Sequence, residues 1–262
     1  MSEEAPNLVQ IEAKVKQTTA RKRQKEISLI TDLLNIYIKG FSLVTSFQRT
    51  QDNDVPYVWL LLLARSFHSM RSAVLLMLSG YYGSALTLLR TVTEDWLVGK
   101  DCEHYQPTLD ALLYGKHRFG NRELGLRYRD MAQRVKAEDR VKDIVYPHDY
   151  VFQSKFTHAG RLSLAVMRDQ KTNELRVAPS YDGLLFYSCC ELLIRNGLRM
   201  NELMYKFLKS CSDETAETWS KMVEPAVKDM GDWLRTLQQK YGDKDTYVED
   251  DTQQNAKNDL KS

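Results

Sequence analysis

The 262-residue sequence predicts an all-α fold: a bundle of six to seven helices with a small β-hairpin insertion and a disordered C-terminal tail. Apolar residues recur at three- and four-residue intervals over most of the chain, which is the period of a helix buried on one side. Only residues 162–178 alternate around a polar turn as strands do. Hydrophobic residues make up 43% of the chain and charged residues 27%, which is typical of a globular domain with a buried core.

The predicted elements form a single helical domain over residues 1–241. An N-terminal helix, continuous or broken into two, is followed by core helices within 56–103 and by C-terminal helices within 181–240. The helical periods cover residues 8–48, 56–79, 84–103, 107–115, 121–142, 181–209 and 213–240. Residues 242–262 are polar and acidic with few apolar side chains, which predicts a disordered tail.

One uncharged stretch, "SAVLLMLSGYYGSALTLL" at residues 72–89, has the length of a short membrane span. Two glycines that flank two tyrosines interrupt it, and such a sequence is unfavourable inside a helix. We therefore predict two buried helices joined by a tight turn. Because the N-terminal residues also lack the apolar core of a signal peptide, we expect a cytoplasmic protein without stable membrane insertion.

Two charged residues, Arg90 and Glu94, lie four positions apart inside this apolar region. If the flanking helices are antiparallel, Arg65, His68 and Arg71 of the preceding helix reach the same region. One interpretation is a structural ion pair, in which Glu94 and either Arg90 or Arg71 fix the pairing of two central helices. The other is a pocket between helices, in which the arginines contact a phosphate or carboxylate and His68 titrates near neutral pH.

A second candidate lies in "YVFQSKFTHAG", residues 150–160. Ser154 and His158 are four positions apart, so a helical turn would place the hydroxyl and the imidazole on one face. A nucleophilic pair would also need an orienting acid and an oxyanion hole, and the sequence contains no GxSxG segment. The alternative interpretation is that His158 ends a helix just before Gly160.

The segment "LARSFHSMRSAVLLMLSGYYGSALTLLRTVTEDW", together with "YVFQSKFTHAG", resembles a bacterial all-helical family of unknown function. That family is distantly similar to HEPN-type helical bundles, many of which are ribonucleases of defence and toxin–antitoxin loci. The similarity extends over about residues 30–205. It implies that Arg65 lines one shared site with the catalytic candidates, which are Arg90, Glu94, Ser154 and His158.

The sequence departs from the HEPN ribonuclease pattern, in which four to six residues separate an arginine from a following histidine. Here two residues separate Arg65 from His68, and seven separate Arg140 from His148. The resemblance therefore implies a shared site without supplying a reaction.

Basic residues cluster on the predicted helix 121–142, where one face carries Arg122, Arg129, Lys136 and Arg140. This row has the character of a phosphate-backbone contact surface. The alternative is an ordinary solvated helix face, because acidic residues are interspersed with the basic ones. The net charge of +2 is too small to indicate nucleic-acid binding by itself.

The sequence contains no P-loop, no GxGxxG after a strand, no HExxH and no CxxC, so we expect neither a metal nor a cofactor. Two functions are consistent with these features. The first is a partner-binding or accessory component of a bacterial defence or mobile-element locus, with a protein partner or a second copy of the chain. The alternative is a HEPN-like nuclease or other phosphoryl-directed enzyme that uses the internal Arg/Glu/His site and the basic face. Whether the protein is an enzyme stays open at this point.

Overall fold

A computed structural model describes residues 7–44, 47, 52, 54–114, 128–139 and 178–241. These residues form eight helices and no strand, which confirms the all-α class. The helices are α1 (Leu8–Lys22), α2 (Gln24–Ser42), α3 (Asp54–Leu78), α4 (Tyr82–Asp101), α5 (Gln106–Tyr114), α6 (Tyr128–Asp139), α7 (Gly183–Cys211) and α8 (Asp213–Tyr241). The described residues thus give no support to the predicted hairpin over 162–178, which lies outside them except for its last residue. The predicted tail over 242–262 also lies outside them.

The predicted number of six to seven helices was too low, because the segment predicted as one long or broken helix forms both α1 and α2. The break falls at Arg23, whose backbone leaves the helical region at φ −131° and ψ 33°. The guanidinium of Arg23 donates a hydrogen bond to the Tyr181 hydroxyl at 2.8 Å and lies 4.0 Å from the centre of the Tyr187 ring. Two residues far along the chain therefore contact the side chain at this break.

The helices α3 and α4 are joined by a tight turn, as predicted, and run antiparallel. Gly80 in this turn has a φ of +88°, and a Cβ added there would lie 2.7 Å from the Ser180 carbonyl oxygen, so only glycine fits. At the other end of the pair, the indole of Trp59 donates to the Gly99 carbonyl at 3.0 Å. Among the described helices, α3 alone has the length and composition to cross a membrane, with 39% of its most apolar window buried in the protein.

The central helix is α4, which packs against α3, α6 and α7, while α7 in turn packs against α2 and α8. Two buried polar side chains of this core bond to the backbone of another helix: the Tyr37 hydroxyl donates to the Gly197 carbonyl at 2.7 Å, and the Trp219 indole donates to the Ile36 carbonyl at 3.2 Å. Residues 95–102 are all buried. The C-terminal half of α4 must therefore accommodate its charged residues inside the protein.

Candidate functional site

The two residues that the sequence singled out in α4 form an ion pair with each other. Arg90 Nε donates to Glu94 Oε1 at 2.8 Å, and each side chain retains 16% of its exposure. The pair lies within one helix and close to solvent. The structural interpretation of the sequence placed this pair between two central helices, whereas the structure pairs the two residues within α4.

The residue that does link α3 and α4 is Asp95, the neighbour of Glu94. Its fully buried carboxylate accepts hydrogen bonds from the guanidinium of Arg65 and, at 2.7 Å, from the hydroxyl of Ser66. Burial raises the pKa of Asp95 more strongly than Arg65 lowers it. The half-exposed Arg65 loses less hydration, and its bond to Asp95 raises its own pKa.

The four charged groups of this region, hereafter the α3–α4 cluster, are Arg65, Arg90, Glu94 and Asp95. Arg65 interacts electrostatically with Glu94 as well as with Asp95, so the two ion pairs are neighbours. Two positive charges and two negative charges cancel. A phosphate that approached the arginines would also meet two carboxylates, which is unfavourable for anion binding. The chemistry that the cluster supports best is the fixing of two helices.

The structure brings together only part of the predicted site. His68 and Arg71 are exposed side chains of α3, and the His68 ring lies edge-on to Phe67 at 5.8 Å between centroids. Arg129 and Lys136 are exposed on α6, seven positions apart and therefore on one side of the helix. The remaining predicted site residues lie outside the described ranges: Ser154, His158, Arg122 and Arg140.

A second buried carboxylate, Asp101, connects the end of α4 to α5 and α6. Arg134 of α6 donates to both carboxylate oxygens at 2.7 Å, and the Thr108 hydroxyl of α5 donates at 2.6 Å. The Arg134 guanidinium also lies 4.1 Å from the centre of the Tyr105 ring. A bidentate arginine–carboxylate pair of this kind is among the strongest and most directional interactions that side chains form. It positions α6 on the bundle.

A buried lysine, Lys100, links α4 to α7 on the adjacent face. Its Nζ lies 2.6 Å from Glu202 Oε1, and its side chain is 3% exposed. Lys206 of α7 donates to Glu103 Oε2 at 2.5 Å and lies 3.4 Å from Glu202. These two lysines and two glutamates also balance in charge, so this network holds helices together in the same way.

Sequence reasoning missed Asp95, Lys100 and Asp101, although all three lie in the segment "EDWLVGKD" that follows Arg90. The presence of charged residues inside an otherwise apolar helix is a signal that could have identified this segment. The arginine partners of the two aspartates lie 30 and 33 positions away in the chain, so no local spacing identifies them.

Metal and thiol chemistry find little support in the part of the chain that the structure describes. Within it, no group of three or more His, Cys, Asp or Glu residues is placed to hold a metal ion. All four cysteines are free, and three are buried: Cys102, Cys189 and Cys190. Burial raises the pKa of these three thiols, which keeps them protonated and poorly nucleophilic at neutral pH.

A groove of about 550 Å³ lies between α1 and the residues that precede α7. Apolar side chains form much of its wall, including Ile11, Val15 and Pro179, with the Tyr181 side chain at one edge. None of the predicted site residues that the structure describes lines it. The groove is therefore separate from the α3–α4 cluster.

Comparison of the chain with protein-family models, curated proteins and solved structures finds no match in any of the three.

Proposed function

We propose that this chain is a partner-binding helical module and that α3 provides the contact surface. The surface, hereafter the outer face of α3, consists of exposed residues on the side of the helix that faces solvent: Leu61, Arg65, His68, Arg71, Ser72 and Leu75. The setting that we propose, a cytoplasmic accessory component of a bacterial defence or mobile-element locus, follows from the family resemblance described above.

The observation that supports this proposal is the exposure of leucines on the most apolar helix that the structure describes. The side chains of Leu61 and Leu75 are 50% and 49% exposed. Only 39% of the most apolar 18-residue window of α3 is buried inside the protein. A helix as apolar as α3 is usually enclosed, so two half-exposed leucines on it, with polar residues between them, support a surface that another protein covers.

The charge balance of the α3–α4 cluster favours this function over the phosphoryl-directed enzyme. An active site for phosphoryl transfer needs positive charge that is available to the substrate. In the cluster, Arg65 is bound to Asp95 and Arg90 is bound to Glu94, so each arginine already has a carboxylate partner. The alternative keeps one supporting feature, which is the partial exposure of both arginines near the surface.

Site-specific photo-crosslinking in the native host tests the proposal. A photoreactive amino acid is placed at Leu61 or at Leu75, and in matched controls at Tyr205 of α7 or Met222 of α8, which are 37% and 43% exposed. We expect the same protein to be captured from both α3 positions and from neither control. Capture from all four positions, or from none, would contradict a specific contact surface on α3.

A nuclease assay with the purified chain tests the alternative. We expect mixed RNA, single-stranded DNA and duplex DNA to remain intact over a prolonged incubation. Cleavage by the wild-type chain that disappears in Glu94→Gln, while a Glu191→Gln control retains it, would establish the enzyme instead. Glu191 is a suitable control because it also pairs with an arginine four positions along its own helix.

A further inference from the structure

The outer face of α3 has apolar ends and a cationic centre. Leu61 and Leu75 lie fourteen positions apart, a distance of about 21 Å along the helix axis. Arg65, His68 and Arg71 lie between them, and all three are exposed. The exposed positions 61, 65, 68, 72 and 75 are separated by four, three, four and three residues. This is the spacing of a seam along which two helices pack.

No acidic residue of α3 itself lies on this face. The only acidic residue of α3 is Asp54, which lies in its first turn, seven positions before Leu61. Asp95 binds Arg65 from the buried side and orients its guanidinium, while 53% of the Arg65 side chain stays exposed. Arg65 is therefore already paired, and the positive charge that is left for a partner comes from Arg71 and from a protonated His68.

We infer that the partner binds the outer face of α3 through an acidic amphipathic helix, and this inference rests on the proposed function. The partner helix contributes apolar side chains that cover Leu61 and Leu75 at the two ends. Between them it contributes carboxylates that face His68 and Arg71. Charge complementarity selects this partner, while the apolar ends provide the area that two packed helices bury.

The same charges argue against a second copy of this chain as the occupant. Two α3 helices packed antiparallel about a twofold axis through His68 would place Leu61 of one copy against Leu75 of the other. The same symmetry would place Arg65 against Arg71 and His68 against His68. Like charges facing each other across a contact are repulsive, so the pairing that suits the leucines is unfavourable for the cations.

Nucleic acid and lipid fit the outer face less well than an acidic helix does. A phosphate backbone provides no apolar contact for two half-exposed leucines. A helix that lies on a membrane keeps its cations along the polar edge of the apolar face, whereas Arg65 and His68 lie within the row that joins the leucines.

Binding of two designed peptides to the full chain tests the inference by fluorescence anisotropy. Each peptide is a helix of about twenty residues with leucines fourteen positions apart, which is long enough to span four turns. One peptide carries glutamates between the leucines, and the matched peptide carries lysines at the same positions. We expect the glutamate peptide to bind at least about ten-fold more tightly.

Reversal of the charge on α3 should reverse this preference. The double variant His68→Glu and Arg71→Glu is expected to bind the lysine peptide more tightly than the glutamate peptide. Leu75→Ser should weaken the binding of the glutamate peptide roughly ten-fold, because a half-exposed leucine loses its contact. The matched control is the double variant Lys221→Glu and Met222→Ser, which replaces an exposed cation and an exposed apolar residue of α8. We expect this control to leave the binding of both peptides unchanged. Circular dichroism checks that every variant is folded.

Several results would overturn the inference. Equal binding of the two peptides is one, and binding that charge reversal leaves unchanged is another. A dimer that dissociates on Leu75→Ser would identify a second copy as the occupant. Binding of RNA or of vesicles with anionic lipid, lost in the same α3 variants, would identify those ligands instead. If the crosslinks at Leu61 and Leu75 capture one protein through a segment without acidic residues, the proposed function stands and only the inference fails.

Discussion

The stretch of α4 up to Glu94 and the stretch from Asp95 onward accommodate charge in different ways. In the first stretch, Arg90 and Glu94 pair within the helix and both keep part of their contact with solvent. In the second stretch, Asp95 and Asp101 are buried, and their partners come from three other helices. The comparison teaches that the pair visible in the sequence is the one on which the tertiary fold depends less.

The physical reason is the cost of removing a charge from water. A pair near the surface gains little and loses little, because water screens it in the folded and unfolded chains alike. A buried carboxylate loses its hydrogen bonds to water, and hydrogen bonds from neighbouring helices must replace them. The fold must therefore supply several donors around Asp95 and Asp101.

The largest effect on stability should come from Asp101→Asn. The amide keeps the shape of the carboxylate but removes the buried negative charge that the Arg134 guanidinium binds through both oxygens, so the free energy of unfolding should fall by about 3 kcal/mol. Urea denaturation followed by circular dichroism measures this change. The control is Asp110→Asn on α5, where the carboxylate accepts an exposed hydrogen bond from Gln106 and the loss should stay below about 1 kcal/mol. Equal losses in the two variants would contradict a special role for Asp101.

Two glycines of α4 provide a second comparison between its two stretches. A Cβ at Gly99 would lie 2.5 Å from Cδ1 of the buried Leu203, whereas nothing lies within 4 Å of a Cβ at Gly83. Gly99→Ala should therefore lower the free energy of unfolding by about 1–2 kcal/mol through overpacking. Gly83→Ala should raise it by up to about 0.5 kcal/mol, because alanine favours the helix. Thermal unfolding of the two variants side by side would reveal a loss at Gly83 or a gain at Gly99, either of which contradicts this account.

Asp95→Asn should have a smaller effect near neutral pH, within about 1 kcal/mol, because Arg65 is half-exposed and can turn to water. The effect should depend on pH. Since folding raises the pKa of Asp95, its stabilising contribution is complete below the unfolded value of 3.8 and is lost as the pH rises through the folded value. Wild type should therefore gain stability relative to Asp95→Asn as the pH is lowered toward 4. Denaturation midpoints of the two proteins at a series of pH values measure this difference, and a constant difference would show that Asp95 does not titrate in this way.

The smallest effect should come from Glu94→Gln. The sequence alone, with the pair taken as buried, would predict a loss of several kcal/mol. With both partners in contact with solvent, the expected loss of unfolding free energy is about 0.5 kcal/mol. The variant Glu191→Gln, which breaks the similar pair with Arg195, should behave alike. A loss in Glu94→Gln that approaches the loss in Asp101→Asn would remove the distinction between the two stretches of α4.

Local spacing was sufficient to predict much of the fold. The helical class, the tight turn before α4 and the approximate extents of α3, α4, α7 and α8 follow from apolar periodicity and from the glycines near residue 80. The same reasoning found Arg90 and Glu94, because partners four positions apart in a helix are visible in the sequence. It also predicted that Arg65 lies near them, because residues at similar distances from the turn lie side by side in an antiparallel pair of helices.

What only the tertiary structure decided is the set of interactions between distant residues. The side chain at the break, Arg23, contacts Tyr181 and Tyr187, and the pairing of Asp101 depends on Thr108 and Arg134. Periodicity reports which side of a helix is buried but carries no information about which distant side chain meets it. The exposure of the outer face of α3 could not be predicted from the sequence for a related reason. A helix as apolar as α3 is expected to be enclosed, and only the arrangement of the other helices around it determines which of its leucines remain in water.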